Sequence, residues 1–466
     1  MDHSKNPGHA QALSYTPAPE YEKMHCWEVY SSQLGVEWRQ SVEEGLDIAS
    51  YAELFAAVGR LPTSPMKERL ADVLYDIVQN APMRADYPYF EPSDPDGILA
   101  ARDPALQRKK EAIPADYRDH VAGAWYGRIA GCLLGKPVEG IWTKELLPLL
   151  KRSGNLPMHR YIVSTDIDAE AKANDRFRFH ENAAWADRAD GMPPDDDTNY
   201  TVLYQELIER YGRNFTPTDI ANLWMGAQPK TAYCTAERAA YRNFTSGYFP
   251  PASAVYKNPS REWIGAQIRG DYFGYINPGD PEEAAKLAWR DACLAQTKNG
   301  IYGELFVAAA LATAAVTDDI PSIIRGGLSQ IPVRSRLYER LTDVSARYAA
   351  GETEEAFFAD LHTRYDERSA HDWCHTIPNA EIVTACLLWG RGDFSRSVCM
   401  AVEQGFDTDC NGATVGSILG MRGGLKAIDP VWLAPLHGKL HTNIMNCGTV
   451  LIEDRIDMTM RHLQAK

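Results

Sequence analysis

Two segments of this chain carry a glycine at every fourth position, and this spacing constrains the fold more than any other feature. Residues four apart share one face of an α-helix, so each segment, if helical, presents a stripe without side chains. Glycine inside a helix costs about 0.5–1 kcal/mol relative to alanine, so each stripe needs a compensating contact. The glycines are Gly123, Gly127, Gly131 and Gly135 in the first segment, and Gly412, Gly416, Gly420 and Gly424 in the second.

A stripe of this kind allows a second helix backbone to approach unusually closely, as small residues do between helices in membranes. Polar residues flank both segments, among them Arg128, Asn411 and Arg422, which argues against a membrane. The two stripes therefore suit packing against each other, stabilised by dispersion contacts. The alternative is that they are separate packing faces without functional meaning.

The residues at the ends of the two segments favour a functional interpretation. The first segment runs into Pro137, which should end the helix, and then into Glu139. The second begins with Asp407 and Asp409, where carboxylates interact favourably with the helix dipole. If the helices pack antiparallel, Glu139 lies beside both aspartates. Three crowded carboxylates repel one another unless a cation lies between them.

A further group of acids, Asp195, Asp196 and Asp197, follows two prolines and opens a predicted helix. Acids at a helix start are often simple N-caps, but three in a row exceed what capping needs. Oxygen ligands of this kind suit Mg²⁺, Mn²⁺ or Ca²⁺. Together with Asp407 and Asp409, the sequence predicts a carboxylate site for two metal ions.

Composition limits the classes of function. The net charge of −15 argues against a nucleic-acid partner, because nucleic-acid binding needs a basic surface. We find no apolar run long enough for a membrane span and no secretory signal, which favours a cytoplasmic protein. The nine cysteines follow no disulfide or zinc spacing, as expected for reduced thiols.

The pattern of apolar residues predicts an all-α fold, because three- and four-residue steps are frequent and strand alternation is scarce. Residues 1–20 are predicted to form a flexible tail. Residues 21–111 should form a helical N-terminal extension that ends in a proline-rich connector. Residues 112–466 should form the main body, a compact helical bundle that carries all of the motifs above.

Three segments together resemble the ADP-ribosylglycohydrolases, the group that includes dinitrogenase reductase-activating glycohydrolase. They are GRIAGCLLGKPVEG, DDDTNYTVL and GFDTDCNGATVGSILG, and both their order and their spacing match. The resemblance covers about residues 116–460, and the N-terminal extension is similar to that of a longer bacterial branch. It implies an all-α fold with two Mg²⁺ or Mn²⁺ ions at the bottom of a cleft, and hydrolysis of the glycosidic bond of an ADP-ribosyl group.

The resemblance also implies roles for individual residues. Those expected to bind metal are Asp195, Asp196, Asp197, Asp407 and Asp409. Those expected to act in catalysis are Glu139, Asp196 and Asp409. As candidate substrate contacts we take Gln296, Asn299 and His375.

The sequence departs from the family pattern in three places. Asp195 stands where relatives have a hydroxyl residue, and Cys410 stands where they have a threonine ligand. Ala295 and Gln296 replace a Thr-His or Ser-His pair near the substrate. The departures at Gln296 and Cys410, together with the N-terminal extension, favour a small ribosyl or ADP-ribosyl compound over a modified protein as substrate. Two alternatives stay open, namely a catalytically altered binding or structural relative, and a two-metal hydrolase of another bond.

Overall fold

The structure is a computed structural model, and it describes residues 19–107, 110–174 and 185–463. By its internal contacts the chain divides into two compact units, Met1–Tyr87 and Pro88–Lys466. Across the described ranges, α-helices predominate and only two short strands occur, which confirms the all-α prediction. No helix in these ranges has the length and apolar character needed to cross a bilayer. The predicted tail lies outside the described residues except for residues 19 and 20.

The first unit contains a small helical core of its own. The Ser64 side chain accepts a hydrogen bond from the Lys67 amide at 3.2 Å, and Pro65 takes the first position of the helix that follows. The buried face of this helix packs into a core that includes Leu34 and Phe55. The α-helices of the unit are α1 (Leu34–Glu43), α2 (Ala52–Gly59) and α3 (Pro65–Asn80).

The second unit contains the remaining helices, joined by short loops and 3-10 turns. Its first half comprises α4 (Pro95–Ala101), α5 (Tyr117–Gly135), α6 (Thr143–Arg152), α7 (Ala169–Ala173), α8 (Asp196–Tyr211), α9 (Pro217–Ala227), α10 (Thr235–Thr245), α11 (Ala252–Val255), α12 (Asp271–Tyr275) and α13 (Pro281–Ala292). Its second half comprises α14 (Lys298–Ala314), α15 (Ile320–Leu328), α16 (Arg336–Ala349), α17 (Glu354–Arg364), α18 (Ala370–Cys374), α19 (Thr376–Trp389), α20 (Phe394–Glu403), α21 (Thr408–Gly423), α22 (Pro430–Leu433) and α23 (Ile452–His462). The strands β1 (Lys439–His441) and β2 (Thr449–Leu451) pair antiparallel.

Four helices of the second unit, α5, α14, α19 and α21, are buried along most of their length. Helices in this position lack a polar face because protein surrounds them on all sides. Helix α14 packs against α13 and α15, while α21 packs against α5, α19 and α20. The core of the unit is therefore a set of buried helices that lie directly on one another.

The two glycine stripes face each other in the antiparallel helices α5 and α21, as the sequence predicted. The opposed pairs are Gly123 with Gly420, Gly127 with Gly416, and Gly131 with Gly412. A Cβ added to Gly412 would lie 2.5 Å from the carbonyl oxygen of Gly131, so the backbones touch where side chains would otherwise stand. Gly424 has a different role, because it lies beyond the end of α21 with a φ of +74° and caps that helix.

Candidate metal and active site

The antiparallel packing brings the C-terminal end of α5 to the N-terminal end of α21. The Thr408 hydroxyl donates a hydrogen bond to the carbonyl oxygen of Gly135 at 2.9 Å. Helix α5 ends at Gly135, and Pro137 lies in the 3-10 turn that follows, since proline cannot continue the hydrogen-bonded helix. Glu139 comes directly after this turn.

The start of α8 brings the third acidic group to the same place. Asp195 is the N-cap of α8, and its carboxylate accepts a hydrogen bond from the Asp197 amide at 3.0 Å. The Arg128 side chain, on α5, donates from Nε and Nη2 to the carbonyl oxygen of Asp197 at 3.0 and 2.8 Å. Its Nη1 atom lies 2.8 Å from the carboxylate of Asp271. Arg128 thus holds the first turn of α8 against α5.

Acids from these helix ends converge on one buried cluster. The ligand atoms of four buried residues all lie within 4.8 Å of one another, and these residues are Cys132, Asp195, Asp197 and Asp409. A second buried group meets the same limit, and it consists of Asp407, Asp409 and Cys410. Asp409 belongs to both groups. We call the residues of the two groups, together with Glu139 and Asp196, the acidic cluster.

Lys136 supplies one positive charge to the acidic cluster. Its ammonium lies 2.5 Å from Oδ2 of the buried Asp195. Burial by itself raises the pKa of Asp195, but the ammonium outweighs burial and leaves this pKa below its ordinary value. Burial likewise disfavours the charge on Lys136, yet the charges of Asp195 and Asp409 hold its pKa above the ordinary value. Asp195 is therefore ionised and neutralised by a cation of the protein itself.

Four other acids of the cluster receive too little compensation to offset burial. Burial and then the charge of Asp407 raise the pKa of Glu139 to about 8. Burial and the charge of Asp195 raise the pKa of Asp196 to about 7. Burial is also the main reason that the pKa values of Asp407 and Asp409 lie well above the ordinary range. Arg128 pairs with Asp197 at 3.2 Å, but these four pKa values stay raised, so the cluster has room for more positive charge than Lys136 and Arg128 provide.

The hydrogen bonding of the acids tests whether the cluster fits divalent cations. Within the described ranges, Oδ1 of Asp409 and Oδ2 of Asp197 are buried without a hydrogen-bond partner. A buried oxygen without a partner costs free energy that a bound cation recovers. Carboxylate oxygens are the ligands that Mg²⁺ and Mn²⁺ prefer, so the residues present fit the kind of ion predicted from the sequence.

One candidate substrate contact, Gln296, lies in a different buried cluster. Its Nε2 atom donates to Glu237 at 2.6 Å, and its Oε1 atom accepts from Arg269 at 3.1 Å. Arg269 also donates to Asp291 at 2.5 Å. Both ends of the Gln296 amide are therefore bonded within the protein, and a contact with substrate stays a prediction.

The other two candidate substrate contacts meet at the buried carboxylate of Glu262. The Asn299 side-chain amide donates to it at 2.9 Å, and His375 Nε2 lies 3.6 Å from its second oxygen. Burial would raise the pKa of Glu262, but Arg336, 2.7 Å away, and His375 outweigh burial and keep it well below the ordinary value. Asn299 and His375 thus lie beside the same carboxylate, that of Glu262, and neither belongs to the acidic cluster.

Asn379 connects the His375 loop to the start of α21. Its Oδ1 atom accepts hydrogen bonds from the Asp407 amide at 3.3 Å and from the Asn411 side chain at 2.8 Å. Its Nδ2 atom donates to the carbonyl oxygens of Trp373 and His375 at 2.8 and 2.9 Å. Asn379 therefore positions Asp407, a role that the sequence did not assign to it.

A cavity of 180 Å³ adjoins the segments that carry two of the acids. Its lining includes residues 140–142, which follow Glu139, and Phe406, which precedes the N-cap of α21. Trp142 and Trp373 also line it, and the Trp373 indole donates to the carbonyl oxygen of Phe406 at 2.6 Å. A larger cavity of 440 Å³ lies among α8, α9 and α23, and its lining contains no predicted site residue.

Cys132, which belongs to the acidic cluster, and Lys136, which pairs with it, were not predicted as site residues. The signal for them is their spacing, because Arg128 and Cys132 on α5 and Lys136 at its C-cap are four apart and continue one helix face. This polar stripe lies one position after the glycine stripe. A polar stripe beside the contact between two helix backbones indicates side chains that extend toward the acidic cluster.

The fold and the acidic cluster are those of an all-α hydrolase. The sequence model of the ADP-ribosylglycohydrolase family matches residues 113–462, and the chain belongs to this family. The matched span includes every predicted site residue, and the protein is a glycosidic hydrolase of the ADP-ribosyl type.

Comparison with individual proteins adds less detail. No curated protein sequence matches the chain. One similar solved structure is described as an ADP-ribosylglycohydrolase-related protein complex. It is 18% identical with a TM-score of 0.48, and the match covers 75% of this chain and 99% of that chain.

Proposed function

We propose that this chain cleaves the glycosidic bond of an ADP-ribosyl or related ribosyl compound with the help of two divalent cations. The observation that supports this most is the convergence of acids from the starts of α8 and α21 on one buried cluster. The proposed ligands are the five aspartates of the cluster, namely Asp195, Asp196, Asp197, Asp407 and Asp409.

The five aspartates differ in what they offer. When bound, divalent cations supply stabilisation of developing negative charge and make a coordinated water more acidic. Asp407 and Asp409 form no ion pair within 4.0 Å among the described residues, so they contribute most to holding the ions. Asp195 offers oxygens that Lys136 and the Asp197 amide already engage, and its main role is to orient the start of α8.

Glu139 is the proposed proton acceptor. Without metal its pKa is about 8, because of burial and the charge of Asp407, and bound cations would favour the ionised carboxylate that accepts a proton. The pKa of Asp196, about 7, makes it the second group able to hold a proton at the cluster. Glycoside cleavage passes through an oxocarbenium-like transition state, and Glu139 takes the proton of the water that attacks it.

The cavity beside Glu139 favours a small substrate over a modified protein. Its volume is 180 Å³. A cavity of about 150 Å³ is enough to hold one benzene-sized ring. Trp142 and Trp373 provide flat aromatic surfaces on which such a ring stacks. We therefore assign this cavity to a planar ring of a small ribosyl compound.

Hydrolysis assays in the presence and absence of Mg²⁺ or Mn²⁺ test the proposal. The panel contains ADP-ribosylated arginine, an ADP-ribosylated serine peptide and free nucleosides. We expect metal-dependent release of a ribosyl product, and a loss of more than about 100-fold in Asp409→Asn, because several kcal/mol of charge stabilisation disappear. Asp190→Asn is the matched control, since Asp190 is an exposed acid paired with Lys439.

Two outcomes contradict the proposal. One is full turnover by Asp409→Asn with no metal present. The other is tight binding of ADP-ribose with no turnover of any compound, which indicates a binding relative of the same fold.

A further inference from the structure

Two thiols lie inside the acidic cluster, and the proposed reaction makes no use of them. Cys132, on α5, belongs to the group with Asp195, Asp197 and Asp409. Cys410, in the first turn of α21, belongs to the group with Asp407 and Asp409. Both cysteines are buried and neither forms a disulfide.

The ligand atoms of each group are close enough together to reach one ion. In zinc sites the metal lies about 2.3 Å from sulfur and about 2.0–2.2 Å from a carboxylate oxygen. Two such ligands of a tetrahedral ion are therefore about 3.6 Å apart. The ligand atoms of each group lie within 4.8 Å of one another, so the side chains draw together when an ion binds.

The carboxylates provide a second, independent observation. Among the described residues, the buried atoms Asp409 Oδ1 and Asp197 Oδ2 accept no hydrogen bond. Asp409 belongs to both groups. A bound cation would supply the partner that these two oxygens lack.

The competing role for each thiol is that of a hydrogen-bond donor. Cys132 donates to Asp195, and Cys410 donates to Asp407. A thiol that donates its proton to a carboxylate cannot at the same time bind a metal as thiolate. The two roles are therefore separable by experiment.

We propose that Cys132 and Cys410 would each serve as a ligand to a divalent ion, one in each of the two groups that share Asp409. This inference rests on the proposed function, because it concerns the same cluster. Each thiol releases its proton to solvent as the metal–sulfur bond forms. Thiolate is a soft ligand, so the site holds Zn²⁺ or Co²⁺ more tightly than Mg²⁺.

Absorption of bound Co²⁺ tests this proposal in the full chain and does not depend on turnover. Thiolate bound to Co²⁺ gives an intense sulfur-to-cobalt charge-transfer band in the near ultraviolet, and oxygen ligands do not. We expect the band in the unaltered chain, about half of it in Cys132→Ser or Cys410→Ser, and none in the double variant. Cys399→Ser keeps the full band, since Cys399 is a buried thiol on α20 that belongs to neither group.

Two further measurements separate loss of a ligand from loss of the fold. Circular dichroism and equilibrium dialysis give the folding and metal stoichiometry of each variant. X-ray absorption of the Zn²⁺-loaded unaltered chain should show sulfur at about 2.3 Å from the metal. Removal of one thiol should weaken Zn²⁺ binding by more than about 10-fold and leave Mg²⁺ binding almost unchanged.

The outcomes distinguish this inference from the proposed function. Two bound Co²⁺ ions without a charge-transfer band, or a band that persists in the double variant, overturn the thiol ligands and leave the hydrolase proposal intact. A chain that binds no divalent ion overturns both.

Discussion

At the scale of single residues, Lys136 decides how the charge of the acidic cluster is divided. Its ammonium neutralises Asp195 and lowers the pKa of that carboxyl despite burial. Glu139 and Asp196 receive too little compensation, and their pKa values lie at about 8 and about 7. One lysine thus separates an acid that is permanently charged from acids that hold protons at neutral pH.

Replacement of this lysine by an apolar residue tests that division. Lys136→Met leaves the buried Asp195 without its counter-charge, so we expect the metal-free chain to lose about 3 kcal/mol of unfolding free energy. Lys439→Met is the control, because Lys439 forms an exposed pair with Asp190 that is worth at most about 1 kcal/mol. Urea unfolding measures both. Equal losses in the two variants would show that Lys136 does not act as the counter-charge.

At the scale of helices, the glycine stripes set the position of the site. The backbones of α5 and α21 are in contact at three opposed glycine pairs, and Gly135 contacts Thr408 at the end of the stripe. This contact brings the turn that carries Glu139 to the N-cap Asp407. Each glycine lowers the stability of its helix by about 1 kcal/mol relative to alanine, and the close packing of the two backbones offsets this loss.

A methyl group added inside the stripe should separate the two helices. In Gly131→Ala the new Cβ overlaps the carbonyl oxygen of Gly412, so we expect a loss of about 3 kcal/mol or more and weaker metal binding. Gly226→Ala in α9 is the control, because no atom lies within 4 Å of the added Cβ. It should raise the unfolding free energy by about 0.5–1 kcal/mol.

Thermal unfolding and metal titration of the two variants provide the measurement. If Gly131→Ala keeps the stability and metal affinity of the unaltered chain, then the backbone contact does not position the cluster.

At the scale of the whole molecule, all predicted site residues belong to the second unit, and the first unit has a separate core. The predicted boundary after residue 111 stays a prediction. Because the cluster lies within the core of the second unit, its protonation is linked to the stability of that unit.

The pH dependence of stability follows from the raised pKa of Glu139. This group holds a proton up to about pH 8 in the folded chain, whereas its ordinary pKa is 4.5. Between these values the folded state binds more protons than the unfolded state, so its stability falls as pH rises. The melting temperature of the metal-free chain should fall from about pH 5 to about pH 8, and less steeply in Glu139→Gln.

Divalent cations should remove most of this fall, because they bind only the folded cluster and replace its protons. Scanning calorimetry at several pH values, with chelator or with saturating Mn²⁺, measures the effect. A metal-free slope that is the same in Glu139→Gln and in the unaltered chain would contradict the assignment of the shift to Glu139.

Much of this architecture was predictable because it depends on residue spacing. Glycines four apart predicted the close helix pair. The acids after the end of one helix and at the start of the other predicted which residues meet. The Lys136 contact with Asp195 was not predictable in this way, because it joins residues 59 positions apart in the chain. The same holds for Gln296, whose amide is bonded to Glu237 and Arg269 from other segments.

By itself the sequence determined the all-α class, the pairing of the two glycine stripes and the acids carried at their ends, because helical periodicity and the absence of side chains are local properties. Only the tertiary structure decided which acid is neutralised by Lys136, which thiols enter the cluster and where the candidate substrate contacts lie. The physical reason is that charge compensation and burial depend on distances between remote segments, and these distances exist only once the helices have packed.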